Sequence, residues 1–106
     1  MKIDNQFGIY NKSLKLIIEQ LKKFPEIEKS VIFGSRAMGN YKKGSDIDIA
    51  IFGKKIYFEN IASLNYQLNE FLPIPYFIDI LIFHLLKNQD LKKHILKYGK
   101  IIYENK

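Results

Sequence analysis

The stretch VIFGSRAMGNYKKGSDIDIAIFG, residues 31–53, decides how the rest of this chain is read. An apolar run breaks at Gly34-Ser35 and resumes, ten residues after the serine, as Asp46-x-Asp48 within a run that has isoleucine at every second position. Hairpins usually turn in about two to five residues. A returning strand seldom carries two carboxylates, so this interval specifies more than a reversal of the chain.

In an extended strand the side chains at i and i+2 share a face, so Asp46 and Asp48 project together, roughly 7 Å apart at their bases, while Ile47, Ile49 and Ile51 face the core. Two ionised acids on one face raise each other's pKa unless a cation lies between them. The donor type suits Mg²⁺, which takes oxygen ligands and completes its shell with substrate phosphates. Gly34 lets the backbone approach a phosphate closely, and Ser35 offers a hydroxyl and an N–H at the start of a short helical turn. Arg36 is the only arginine in the chain and follows the Gly-Ser directly. It reads equally as a polyphosphate contact and as a salt bridge that pins the turn. Lys42 and Lys43 read as a solvated turn or as further phosphate contacts, and the phosphate-binding candidates are Gly34, Ser35, Arg36, Lys43 and Ser45.

Outward from this stretch the periodicity gives eight elements in the order α, β, short α, β, α, β, α, β. Tyr10, Leu14, Ile17, Leu21 and Phe24 mark one face of a helix that Pro25 stops. Residues 30–34 and 46–52 read as strands. Phe58, Ile61, Leu64, Leu68 and Phe71 mark a helix from about Tyr57 to Leu72, broken by Pro73 and Pro75. FIDILIF, residues 77–83, is a buried strand interrupted by one acid, and its alternation sets Asp79 with Leu81 and Phe83. A last helix from about Asn88 to Tyr98 ends at Gly99 as a left-handed cap, and residues 100–104 add a short edge strand. The fold class is α/β, more strictly α+β: one domain over residues 1–106, with a mixed sheet of about four strands flanked by helices.

If the strand of Asp79 lies beside that of Asp46 and Asp48, the three acids form a triad. Three carboxylates around two divalent ions suit two-metal phosphoryl or nucleotidyl transfer. Composition narrows the alternatives. With no cysteine among 106 residues, disulfides and thiolate metal sites are excluded. No apolar run reaches the roughly 18 residues of a membrane span, and the N-terminus lacks the apolar segment of a signal peptide, so a cytoplasmic protein is expected. The net charge of +6 comes almost wholly from lysine, without an arginine-rich stripe or an aromatic-basic motif, and solvated lysine accounts for it better than nucleic-acid binding does. His84 and His94 have no partner at metal-ligand spacing and are expected to be structural or exposed.

Gly34-Ser35, ten residues, Asp46-x-Asp48 and a later strand acid, Asp79, resemble the signature of the polymerase-beta-like nucleotidyltransferase superfamily. The short chain and the form GSRAMGNYKKGSDIDIAIFG are most similar to its minimal nucleotidyltransferases. That resemblance implies transfer of a nucleoside monophosphate, usually AMP from ATP, with Mg²⁺ held by Asp46, Asp48 and Asp79, and with Gly34 and Ser35 on phosphate. It also implies that Asp79 takes the acceptor's proton. Minimal members pair with a small helical HEPN-type protein, and some act as antitoxins that AMPylate it, so a toxin-antitoxin role follows from resemblance alone. A catalytically idle module that neutralises a helical partner by contact is the alternative. Small-molecule nucleotidylation fits the motif but not the length.

Overall fold

The computed structural model describes residues 2–105. Its elements follow the expected order: α1 (Asn11–Leu21), β1 (Lys29–Phe33), α2 (Ser35–Met38), β2 (Ile47–Phe52), α3 (Phe58–Tyr66), β3 (Ile78–Ile82), α4 (Gln89–Tyr98) and β4 (Lys100–Glu104). The strands form one mixed sheet in the order β3-β2-β1-β4. β1 runs antiparallel to both β2 and β4, whereas β2 and β3 are parallel and need the α3 crossover between them.

The two faces of the sheet bury different sets. Ile47, Ile49 and Ile51 of β2 pack with Ile17 and Leu21 of α1 and Leu64 of α3, together with Leu68 just beyond it. Val31, Phe33 and Ala50 pack on the opposite face against Ile95 of α4. The isoleucine alternation in β2 therefore separates a large core under two helices from a smaller one under a single helix, α4. Asp48 shares its parity with Ala50 and Asp79 with Leu81, so both acids lie on the α4 side of the sheet.

Several boundaries depart from the sequence expectation for identifiable reasons. α1 ends at Leu21, and the chain tightens into turns in which Lys23 and Phe24 donate to Gln20 and Leu21 before Pro25 closes the segment. The expected continuous helix to Leu72 instead widens into a π-helical turn over Gln67–Phe71. Within it, the Asn69 amide accepts from the Ile78 N–H at 2.8 Å and donates to the Ile78 carbonyl at 2.9 Å. A side chain thus serves as the missing neighbour at the outer edge of β3. Gly99 is not a left-handed cap: its φ of −62° and ψ of 140° are extended. Space explains the glycine, since a Cβ there would collide with the Ile95 carbonyl and press on Val31. No helix among the described residues is long and apolar enough to cross a membrane.

Candidate active site

β1 ends at Phe33, whose register partner across the antiparallel pair is Asp48, and Asp48 is in turn the register partner of Asp79 across the parallel pair. The end of β1, the start of β2 and the start of β3 therefore meet in one row. Asp46 lies one residue before β2 and is exposed, Asp79 is exposed, and Asp48 is half-buried. The third acid reaches the other two because α3 returns the chain parallel to β2 and sets Asp79 level with Asp48, a pairing that no local pattern encodes.

Gly34 closes the row. Its φ is 71° and its ψ −153°, a setting open to glycine and strained for other residues. A Cβ at this position would collide with the Asp48 carboxylate. Backbone conformation and close approach thus both require glycine here. The Gly34 carbonyl accepts from Ala37 and Met38 and starts α2, so Ser35 stands at the first residue of that short helix beside the acids.

The electrostatics of this row are unresolved within the chain. Burial, and after it the carboxylates of Asp79 and Asp46, push the Asp48 carboxyl above its ordinary value. Hard carboxylate oxygens on one face suit a divalent cation such as Mg²⁺. Among the described residues, however, no group of three or more His, Asp or Glu closes into a ready-made cage. This arrangement fits an ion whose shell is completed by substrate phosphates better than a permanently held structural metal.

Arg36 does something different from contacting phosphate. It is 1% exposed, and its guanidinium donates to five main-chain acceptor contacts: Nε to Ser45 at 3.1 Å, Nη1 to Phe7 at 3.0 Å and Gly8 at 3.1 Å, and Nη2 to Lys43 at 3.3 Å and Ser45 at 2.9 Å. The rings of Tyr41 and Tyr76 lie 4.9 and 4.8 Å from it. A buried cation needs its donors satisfied, and here carbonyls and aromatic faces do so without a carboxylate. Arg36 pins the 40–45 loop, through carbonyls rather than the salt bridge weighed from sequence, and its N–H groups are committed. Ser45 is also engaged: its Oγ accepts from the Lys42 N–H at 2.8 Å and closes the turn. Lys43 is exposed and lines a cavity of about 540 Å³ with Tyr10, Tyr41 and Tyr76. Of the phosphate-binding candidates, Gly34 and Ser35 stand with the acids, whereas Arg36, Lys43 and Ser45 build and border the loop that leads to them.

His94, expected to be structural or exposed, belongs to this region. From α4 its Nε2 accepts the Gly34 N–H at 3.2 Å. Nothing in the sequence pairs two residues so far apart, and a lone histidine on an amphipathic helix carries no signal of its own.

The profile of the family described as polymerase beta, nucleotidyltransferase, matches residues 15–106, and the chain belongs to that family. No curated protein matches it. Among solved structures, the chain is 30% identical to a nucleotidyltransferase structure from Sulfolobus solfataricus, covering 89% of this chain and 82% of that one at a TM-score of 0.55. The fold is also shared with a chain of a toxin-antitoxin complex crystallised with AMP-PNP, at 22% identity and a TM-score of 0.71, over 88% of this chain and 74% of that one. A third similar structure is the complex of a tri-AMPylated Shewanella oneidensis HEPN toxin with its MNT antitoxin. It is 20% identical with a TM-score of 0.66, over 89% of this chain and 71% of that one.

Proposed function

We propose that this chain is a Mg²⁺-dependent nucleotidyltransferase that moves AMP from ATP to a HEPN-type partner protein, and so acts as an antitoxin. The observation that carries the reading is the row Gly34, Asp48 and Asp79, with Gly34 against the Asp48 carboxylate and Asp79 in direct register. Membership of the nucleotidyltransferase family supports the reaction class. The AMP-PNP and tri-AMPylated complexes of similar fold support the nucleotide and the acceptor.

In the reaction, the acceptor's oxygen forms a bond to the α-phosphorus of ATP while the bond from that phosphorus to the bridging oxygen breaks, and pyrophosphate leaves. The acceptor's proton passes to Asp79, the exposed carboxylate of the row. Gly34 and Ser35 present backbone and hydroxyl groups to the phosphates, and Asp46, Asp48 and Asp79 would hold Mg²⁺, as two ions. When bound there, the metal would supply neutralisation of phosphate charge and activation of the attacking oxygen. Asp48, held above its ordinary pKa by burial and like charges, is ionised most readily when a cation arrives.

Intact mass spectrometry of the chain with a co-encoded helical partner, after incubation with ATP and Mg²⁺, tests the reading. An added AMP on the partner, absent with Asp48→Asn, is the expected result. A stable complex with no adduct would transfer the weight to the contact-only module.

A further inference from the structure

His94 connects a helix to the most constrained peptide of the site. α4 is anchored on the sheet by Ile95, buried with Val31, Phe33 and Ala50. The neighbouring His94 ring stands edge-on to Phe33, with centroids 6.1 Å apart, and tilts against Tyr98 at 5.3 Å. The ring thus packs against two aromatic neighbours before it meets Gly34. Nε2 is the acceptor of the Gly34 N–H and so presents its lone pair to that amide.

Gly34 is the residue with most to gain from such a tether. Glycine populates both halves of φ space freely, so its sequence alone does not hold the φ of 71° that sets its Cα against Asp48. The peptide between Phe33 and Gly34 can rotate unless its N–H is engaged. The flanking strand fixes the Phe33 side and the Gly34 carbonyl is tied into α2. The N–H is the remaining handle, and the imidazole holds it.

We infer that His94 is a positioning residue for nucleotidyl transfer: by accepting the Gly34 N–H it keeps the Gly34-Ser35 turn set against Asp48, ready for the nucleotide's phosphates. The inference rests on the nucleotidyltransferase reading and deepens it. It assigns α4 a role at the site beyond covering the smaller core.

Two substitutions separate this role from packing. His94→Phe keeps a ring against Phe33 and Tyr98 but has no acceptor, whereas His94→Gln loses the ring and offers Oε1 at a reach comparable to Nε2. Both are compared with the unaltered chain for AMP transfer to the partner, for calorimetric binding of AMP-PNP with Mg²⁺, and for the ¹H–¹⁵N resonance and hydrogen exchange of the Gly34 amide. Removing an outer-shell partner of a metal ligand typically costs about 10- to 100-fold, and loss of the tether to the Gly34 peptide is expected on the same scale. The expected result is a loss of that size in kcat/KM with His94→Phe, recovery to within about threefold with His94→Gln, and faster exchange of the Gly34 amide in the phenylalanine variant alone. His94→Leu repeats the comparison if the phenylalanine does not fold. A phenylalanine variant as active as the unaltered chain, or a glutamine variant as impaired as the phenylalanine, overturns the inference alone. An unaltered chain that neither transfers AMP nor binds AMP-PNP overturns the functional reading and the inference with it.

Discussion

The stretch from α2 into β2 carries two charged centres, Arg36 and Asp48, that the protein treats in opposite ways. Arg36 is buried, sandwiched by two tyrosines and committed to main-chain carbonyls at every nitrogen. Asp48, twelve residues on, is half-buried near two further acids, with its ionised form disfavoured. One charge is satisfied by the chain and holds the loop in shape. The other has no such partners within the chain, and under the proposed function a bound cation satisfies it, which would separate structure from function within a single segment.

The comparison breaks most visibly through activity. Asp48→Asn or Asp46→Asn should lower AMP transfer on the order of a thousandfold, since a metal ligand contributes several kcal/mol of transition-state charge stabilisation. Transfer assays by intact mass check this, and activity near that of the unaltered chain in either variant would refute the metal role. Arg36→Met should act on the other side of the comparison. It leaves the carbonyls of Phe7, Gly8, Lys43 and Ser45 without their donors, at a cost of about 3 kcal/mol, read as a lower urea midpoint with the loop disordered. A folded, stable Arg36→Met with intact transfer would show that the pin is dispensable.

Gly34→Ala should combine both effects. The positive φ and the collision with Asp48 cost about 1–3 kcal/mol of stability, and transfer falls with it. Asn69→Ala probes a site far from the acids: Ile78 loses both edge partners, at about 1–3 kcal/mol, with transfer retained in whatever fraction stays folded.

The smallest effect concerns pH. Asp48 binds its proton more tightly in the folded protein than in the unfolded one, because its folded pKa is raised. Its contribution to stability is therefore largest below the unfolded pKa and is lost as pH rises through the folded value. In metal-free protein at neutral pH, Asp48→Asn should raise the melting temperature slightly, by at most a few degrees. The same substitution should remove Mg²⁺-induced stabilisation, so melting curves with and without Mg²⁺ sharpen the distinction between a residue kept for folding and one kept for a ligand.

Much of this was legible along the chain because it rests on local rules. The isoleucine alternation of β2, the apolar stripes of α1 and α3, and the glycine and proline breaks report burial one element at a time. The spacing of Gly34-Ser35 to Asp46-x-Asp48, with Asp79 in a strand, identified the family that the profile match over residues 15–106 bears out. Contacts across the chain were less accessible. Arg36 looked as fit for phosphate as for structure, because its burial depends on Phe7 and Gly8 of the N-terminal segment and on Tyr76 before β3. Gly99 looked like a helix cap, and only the approach of Ile95 and Val31 gives its reason. The π-helical turn at Gln67–Phe71 carries Asn69, which exchanges hydrogen bonds with Ile78 of β3, a contact no local pattern announces.

The sequence by itself determined the elements, their order, which face of each is apolar and which acids are exceptional, since backbone geometry turns residue spacing into direction within a strand or helix. Only the tertiary structure decided that β3 lies parallel to β2, that Asp79 stands level with Asp48, that Arg36 faces inward and that His94 reaches Gly34. Those facts depend on how elements distant in sequence are brought together by burying their apolar faces, and no local period records which polar groups that packing will bring into contact.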